Sequence, residues 1–232
     1  MNWLFTISIV IILLIAGFML FFFMPKPKVF FDPYTNTISI FPTMHETIKA
    51  EIIKHETSPI IPIYGFGEII SRNYPKTYQL LRCIPYVRFA GIITLKPKFQ
   101  QAKEYTIASV ANYTIRYFYT IQESAGHKSG IWIDGEKRFF TEKEWICGDM
   151  SREHSLFNKD KERKTIVLFV DIDRHENIHE GRSPNSDIKK DEIIRMFESG
   201  VYESNTGQEL SEDLSDDEDL SVGNFTQPSV SP

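Results

Sequence analysis

Residues 164–172 read KTIVLFVDI, a nearly continuous run of apolar and β-branched side chains. A run of this length, rich in Ile, Val and Phe, is typical of a β-strand that is buried on both faces. Five earlier runs are also rich in Ile, Val, Tyr, Phe and Thr, and Gly, Lys and Asp clusters separate them: 89–95, 105–110, 113–122, 130–134 and 144–147. Short strands at such spacing predict a mainly β domain, either a sandwich or a barrel.

Helices are predicted on both sides of this β-rich region. Residues 45–55, HETIKAEIIKH, carry three isoleucines at helical spacing, which predicts a short amphipathic helix. The Pro and Gly residues within 59–67 predict an irregular connection after it. We expect one or two further helical turns in 74–81 and a terminal helix over 187–198.

The N-terminal segment 3–24 contains 22 residues without a charge. As a helix it would be ~33 Å long, which is enough for a bilayer core of ~30 Å. A cleaved signal peptide fits less well, because the apolar run is too long, no basic residue precedes it and no small-residue cleavage site follows it. Lys26 and Lys28 follow the span directly, so the positive-inside rule predicts a single-pass protein with its C-terminal domain on the cytoplasmic side.

The charge of the chain is unevenly distributed. The net charge is −5, but eight of the 31 acidic residues lie in 201–232, which holds no Lys or Arg. We expect that segment to be a disordered acidic tail and a contact for a basic partner. The remaining body is close to neutral, which argues against nucleic-acid binding. Cys83 and Cys147 are too few for a disulfide scaffold or a Cys-based zinc site, and we expect buried thiols.

Residues 148–158, GDMSREHSLFN, resemble the F-D-D-S-x-E-H-x-x-x-N signature of the aspartyl/asparaginyl β-hydroxylases. Five positions match: Asp149, Ser151, Glu153, His154 and Asn158. Three flanking stretches are similar to family landmarks in the same order: PKT at 75–77, Asn112 with Arg116, and VLFVD at 167–171. The resemblance implies a double-stranded β-helix, a jelly-roll or cupin-like domain, which agrees with the strand pattern.

The resemblance implies a specific chemistry. Members of this family are Fe(II)- and 2-oxoglutarate-dependent dioxygenases, oxidoreductases that hydroxylate Asp or Asn side chains of protein substrates. They hold iron with two His residues, and His154 falls on the second of them. The first position falls on Phe118, which cannot bind iron. His154 is therefore the candidate metal ligand.

The implied 2-oxoglutarate site is altered as well. The family places an Arg at the position of Thr165 and another at the position of Trp132. Arg163 lies two residues before Thr165, hence on the same strand face, and is the candidate for binding the cofactor carboxylate, although a solvated position in the charged loop 159–164 is the simpler interpretation. His127 could replace the missing iron ligand or be an exposed turn residue.

These inferences divide the chain into a transmembrane anchor at 1–24, a connector at 25–44, a hydroxylase-like domain at 45–180, a possible short helix at 181–200 and the tail at 201–232. Two functions from different classes remain. The first is a membrane-anchored dioxygenase that uses Fe(II) and 2-oxoglutarate on a protein substrate. The alternative is a pseudoenzyme without cofactors, in which the same barrel is a membrane-tethered binding or scaffold module.

Overall fold

The computed structural model describes residues 27–33, 38–56, 58–124, 126–185 and 208–209, together with eight residues of the N-terminal segment, Trp3, Ile7, 9–13 and Ile15. Its helices are short: α1 (Ile40–Thr43), α2 (His45–His55), α3 (Pro75–Leu81) and α4 (Ala108–Ala111). The predicted amphipathic helix over 45–55 is confirmed by α2. Its buried Ile48 and Ile52 pack against the larger sheet, so the helical spacing of the isoleucines was the correct signal.

Two antiparallel sheets make up the rest of the described domain, which confirms the mainly β prediction. The strands are β1 (Phe30–Phe31), β2 (Ile60–Gly65), β3 (Glu68–Ile69), β4 (Val87–Leu95), β5 (Phe99–Gln100), β6 (Thr114–Gln122), β7 (Ser129–Ile133), β8 (Glu136–Phe139), β9 (Trp145–Gly148), β10 (His154–Asn158), β11 (Thr165–Asp173) and β12 (Gln208–Glu209). The larger sheet has the order β1-β9-β6-β11-β4-β2-β3, and the smaller sheet has the order β12-β5-β10-β7-β8.

Strand β11, which contains the KTIVLFVDI run, lies in the middle of the larger sheet between β4 and β6. Its alternate side chains enter two different cores. Val167 and Phe169 belong to the apolar layer between the two sheets, with Ile131 and Leu156 of the smaller sheet. Ile166, Leu168 and Val170 belong to the second core, beneath the helices. Burial on both faces explains why the strand is almost wholly apolar.

Two local predictions were wrong, and one strand that carries a site residue was not predicted. Residues 105–110 do not form a strand, because the Ala-rich stretch 108–111 forms α4 instead. The stretch 59–67 was expected to be irregular, yet it contains β2, in which the register shifts just after Pro62, as expected where a residue lacks an N–H for the ladder. Strand β10 was missed because its first and last residues, His154 and Asn158, are polar but buried.

Several predictions fall wholly or largely on residues outside the described ones: the anchor at 3–24, the helix over 187–198 and most of the tail. Within the described part of the chain, no helix is long and apolar enough to cross a membrane. The described piece of the tail is β12, which pairs with β5. Cys83 and Cys147 are free thiols; Cys147 is buried, whereas Cys83 is exposed, contrary to expectation.

Candidate active site

A small cavity of about 60 Å³ lies between the two sheets. Apolar residues, among them Ile93 and Leu95 of β4 and Leu156 of β10, form much of its wall. The polar residues of its lining are Thr94, Gln101, Glu104, Thr106, Arg116 and His154. This cavity contains the candidate metal ligand of the sequence analysis. It also contains Gln101, Glu104 and Thr106, which sequence reasoning had not selected.

His154 is directed into the cavity by the register of β10. Its backbone pairs with Glu104 through two hydrogen bonds: the His154 N–H donates to the Glu104 carbonyl at 2.8 Å, and the Glu104 N–H donates to the His154 carbonyl at 2.9 Å. Side chains alternate along a strand. His154 and Leu156 therefore face the cavity, whereas Ser155 and Phe157 lie in a groove on the outer face of the smaller sheet.

The hydrogen bonds of His154 fix its tautomer. Nδ1 lies 2.8 Å from the Arg152 carbonyl oxygen, which can only accept, so Nδ1 carries the proton. Nε2 is left with its lone pair and lies 3.4 Å from the Thr106 hydroxyl oxygen. Burial lowers the pKa of His154 to about 4, so the ring is neutral at physiological pH. The group that enters the cavity is thus an unprotonated imidazole nitrogen.

The cavity lining includes one acidic side chain, Glu104, and one cationic side chain, Arg116. The Arg116 guanidinium donates to both carboxylate oxygens of Asp171, from Nε and Nη2, each at 2.7 Å. Gln101 donates from Nε2 to Glu104 at 2.5 Å. Burial raises the pKa of Glu104, and the nearby charge of Arg116 opposes that shift. Because Nε and Nη2 of Arg116 both bind Asp171, the planar guanidinium is turned towards Asp171.

Asp149 and Ser151 of the signature shape the turn that leads into β10. The Asp149 carboxylate accepts the Ser151 backbone N–H at 3.0 Å and its hydroxyl at 2.6 Å. The same carboxylate pairs with Arg174, and both side chains are almost fully buried. These contacts hold the chain in position just before His154. Asp149 and Ser151 thus have a positioning role in this fold.

Asn158 closes the other end of β10. Its Nδ2 group donates to the carbonyl oxygens of Leu95 at 3.0 Å, Lys96 at 3.1 Å and Arg163 at 2.8 Å. Its Oδ1 atom accepts the Asp160 backbone N–H at 3.1 Å. The side chain therefore joins the end of β4 to the turn between β10 and β11. It provides hydrogen-bond partners for backbone groups that would otherwise lack them.

Phe118 is fully buried in the apolar layer between the sheets. It lies on β6, two residues after Arg116 and hence on the same face of the strand, opposite Ile146 of β9 and Phe169 of β11. Its ring centroid is 5.8 Å from that of Phe140. Phe118 is not among the residues that line the His154 cavity. The position aligned with the first iron ligand is thus part of the apolar core.

The candidate cofactor residues are not brought to the cavity. Arg163 is exposed in the turn between β10 and β11, where its backbone N–H donates to Asp160 at 2.8 Å. Thr165 is buried, and its hydroxyl donates to Ser129 at 2.7 Å. Trp132 faces the outer groove of the smaller sheet, with the Lys103 ammonium 4.1 Å from its ring centroid. The position of Arg163 therefore gives no support to the predicted carboxylate contact.

None of the other described histidines lines the His154 cavity. His127 is an exposed turn residue with a φ of 55°. Among the described residues, no group of three or more His, Cys, Asp or Glu side chains could hold a metal ion. Glu104 could have been found from sequence only by predicting its pairing with His154, which lies far along the chain. Of the residue types that commonly bind iron, the cavity thus contains one imidazole, from His154, and one carboxyl group, from Glu104.

A family model described as Aspartyl/Asparaginyl beta-hydroxylase matches residues 66–175. The match covers β3 to β11 and therefore includes the cavity, Phe118 and the signature around His154. No curated protein matches the chain.

Several solved structures are similar to the chain. One is an oxidoreductase of the 2OG-Fe(II) oxygenase family from Burkholderia pseudomallei, with 12% sequence identity and a TM-score of 0.39. The alignment covers 53% of this chain and 68% of that chain. The cupin domain of Cnp3 from Schizosaccharomyces pombe has 11% identity, with 39% of this chain and 55% of that chain covered and a TM-score of 0.31. A conserved Klebsiella pneumoniae protein with a double-stranded β-helix domain has 11% identity, with 41% and 69% covered and a TM-score of 0.29. These identities are too low to transfer an activity.

Proposed function

We propose, from the match of residues 66–175 to the aspartyl/asparaginyl β-hydroxylase family model, that the chain is a divergent member of that family. It would then be a dioxygenase-like protein with a double-stranded β-helix domain, held at a membrane by residues 3–24. The family reaction, hydroxylation of Asp or Asn in a protein with Fe(II) and 2-oxoglutarate, is then the ancestral activity of this domain.

The donor set does not fit the iron site of the family. Only His154 supplies an imidazole, because Phe118 occupies the aligned position of the other one. The Phe118 ring is packed among apolar side chains, so no donor atom takes its place from that strand position. Glu104 and Thr106 share the cavity with His154, but the described residues hold no third His, Cys, Asp or Glu that would complete a cluster.

The cavity does not fit 2-oxoglutarate either. Its volume of about 60 Å³ compares with ~300 Å³ or more for ordinary ligand pockets. The donor fork of Arg116 is already bound to Asp171, and Thr165 donates to Ser129 instead of supplying a cation. A dicarboxylate would therefore find neither space nor an anion clamp.

We therefore propose that the domain is a pseudoenzyme, a membrane-tethered module that binds a protein or peptide partner through the barrel framework. The single observation that carries this conclusion is the fully buried Phe118 ring at the aligned iron-ligand position. The framework itself is intact. The Asp149–Ser151 turn, the Asn158 hydrogen bonds and the Arg116–Asp171 pair are all made, and each of them serves the fold without a metal.

One observation favours the active hydroxylase as a second candidate. The Nε2 atom of His154 is unprotonated and enters a cavity that also contains the Glu104 carboxyl group. A neutral imidazole and a carboxylate are ligands that Fe(II) accepts. A rearrangement that enlarged this cavity would be needed before 2-oxoglutarate could enter.

Metal binding by the full-length chain in detergent separates the two candidates. Anaerobic calorimetric titration with Fe(II), followed by an assay for 2-oxoglutarate consumption, is expected to show no stoichiometric binding and no turnover. His154→Ala should then leave the titration unchanged, as should the control His127→Ala, which alters an exposed histidine outside the cavity. Stoichiometric Fe(II) that disappears in His154→Ala but not in His127→Ala would show that the hydroxylase candidate is correct.

A further inference from the structure

The outer face of the smaller sheet carries a groove of about 430 Å³. We call it the basic groove and define it by Lys103, Lys128, Lys137 and Lys159 with the aromatic residues Trp132 and Phe139. It lies on the opposite side of the smaller sheet from the His154 cavity, because Ser155 and Phe157 of β10 line it while His154 and Leu156 face inwards. The basic groove is therefore separate from the candidate active site.

The charge of the basic groove is unbalanced. Four lysines line it and no Asp or Glu does. Lys103 and Lys128 have partners at its rim, Glu153 at 3.8 Å and Asp160 at 3.5 Å. No carboxylate in the described part of the chain forms a salt bridge with Lys137 or Lys159, both of which are exposed. Such a surface favours an acidic ligand that also carries apolar side chains for Trp132 and Phe139.

The acidic tail has this composition. Residues 211–221 read SEDLSDDEDLS, with six carboxylates, two leucines and no basic residue. Strand β12 lies immediately before this stretch and pairs with β5 at the edge of the smaller sheet, with Gln208 opposite Gln100. Gln100 itself lines the basic groove. The strand pairing therefore places Glu209, two residues before the acidic stretch, at the edge of the groove.

The geometry allows the acidic stretch to cross the whole groove. The smaller sheet runs in the order β12-β5-β10-β7-β8, so β8 is four strand spacings from β12. That distance is ~19 Å at ~4.8 Å per spacing, whereas eleven extended residues reach ~36 Å. We propose that residues 211–221 bind in the basic groove of their own domain. The contact is electrostatic, weak and sensitive to salt, because the lysines are solvent-exposed.

Zero-length carbodiimide cross-linking of the full-length chain in a neutral detergent tests this proposal. Cross-links from the carboxylates of 212–219 to Lys137 and Lys159 are expected, with a yield that falls at least about threefold in 0.5 M NaCl, where the screening length is only a few ångströms. Lys54 and Lys76 are exposed on helices α2 and α3 and are the matched controls, which should form no such cross-links. Equal yields at the control lysines would overturn the proposal.

Lysine reactivity gives a second, independent readout. In a variant with Asp216→Asn, Asp217→Asn, Glu218→Gln and Asp219→Asn, acetylation of Lys137 and Lys159 should become at least about twofold faster, because their protection depends on these charges. The control variant Glu176→Gln with Glu180→Gln changes exposed carboxylates outside the groove and should have no effect. Unchanged acetylation rates in the tail variant would overturn the proposal.

Extensions of these measurements distinguish two other occupants of the basic groove, a second copy of the chain and a lipid surface. Mixing isotope-labelled with unlabelled chains separates cross-links within a chain from those between chains, and cross-links only between chains would mean that a second copy occupies the groove. Protection of Lys137 and Lys159 that requires phosphatidylserine in a nanodisc, and persists in the tail variant, would instead identify a lipid surface. Either result overturns the proposal. Neither readout depends on iron or on His154, so the outcome is independent of the proposed function.

Discussion

Arg116 of β6 and Asp171 of β11 form a two-pronged ion pair between neighbouring strands, with Nε–Oδ1 and Nη2–Oδ2 distances of 2.7 Å. Their side chains are 8% and 1% exposed, so the pair is buried. The guanidinium carbon also lies 4.5 Å from the centroid of the Phe169 ring. Arg116 therefore links the larger sheet to the wall of the His154 cavity, and its charge is compensated inside the protein.

Removing one partner of this pair is expected to be costly. Asp171→Leu would leave the Arg116 charge buried without its carboxylate, and loss of one partner from a buried pair typically lowers the free energy of unfolding by about 3–5 kcal/mol. Chemical denaturation of the full-length chain in detergent, followed by tryptophan fluorescence, measures the change.

The double variant Arg116→Met with Asp171→Leu is the control for this interpretation. It removes both charges and keeps similar side-chain volumes, so most of the lost stability should return. A double variant as unstable as Asp171→Leu would show that the destabilisation comes from packing rather than from the unpaired charge.

The buried His154 ring should make stability depend on pH. Its folded-state pKa of about 4 lies below the ordinary value of 6.5, so the unfolded chain binds the proton more readily. The contribution is therefore complete above about pH 6.5 and is lost as pH falls towards 4. At pH 5 the free energy of unfolding should be about 2 kcal/mol lower than at pH 7 from this group alone.

The variant His154→Gln isolates that contribution, because it keeps a polar side chain and removes the titrating group. Glu104 lines the same cavity and has a pKa raised by burial, which acts in the opposite direction, but it is present in both proteins. The difference between the two pH profiles of unfolding free energy should therefore follow His154. Parallel profiles between pH 7 and pH 5 would contradict the expected shift.

The parts of the fold that sequence predicted are those that depend on local pattern. Strand β11 is apolar on both faces and helix α2 has isoleucines at helical spacing, so each could be recognised within its own window. His154 was found because a linear signature surrounds it. Strand β10 was not, because the two polar residues at its ends, His154 and Asn158, are buried by partners that lie far along the chain.

The rest of the site depends on pairing and packing. Glu104 reaches the cavity only because its backbone pairs with His154, and Arg163 is kept out by the turn that Asp160 and Asn158 stabilise. The small volume of the cavity results from the packing of two sheets, which no single segment encodes. These features could not be read from residue spacing.

Residues 1–24 are predicted to hold the protein in the membrane. Because the β domain has its own cores, deletion of these residues should release a folded soluble protein. The measurement is carbonate extraction of membranes that contain the full-length chain, compared with the fractionation of the deletion variant. Extraction of the full-length chain into the soluble fraction would show that the anchor prediction is wrong.

Phe118→His tests directly whether residue 118 stands at the iron-ligand position. Phe118 follows Arg116 by two residues on the same face of β6, and Arg116 lines the cavity that holds the unprotonated Nε2 atom of His154. An imidazole in place of the phenyl ring would restore the two-His donor set without changing the alternation of the strand. We expect the affinity for Fe(II) or Zn(II) to rise at least about tenfold over the parent, equivalent to about 1.4 kcal/mol.

The gain should be abolished by His154→Ala in the Phe118→His background, since both imidazoles are required. It should appear without turnover, because Thr165 and Trp132 still leave 2-oxoglutarate without its cations and the cavity remains small. Phe118→Leu is the matched control, which relieves ring packing against Phe140 but adds no donor atom. Calorimetric titration of the four proteins measures the affinities. The circular dichroism of Phe118→His should match that of the parent, which shows that the variant is folded. If neither protein then binds metal, Phe118 does not stand at the iron-ligand position, and the pseudoenzyme proposal rests on a wrong alignment of β6.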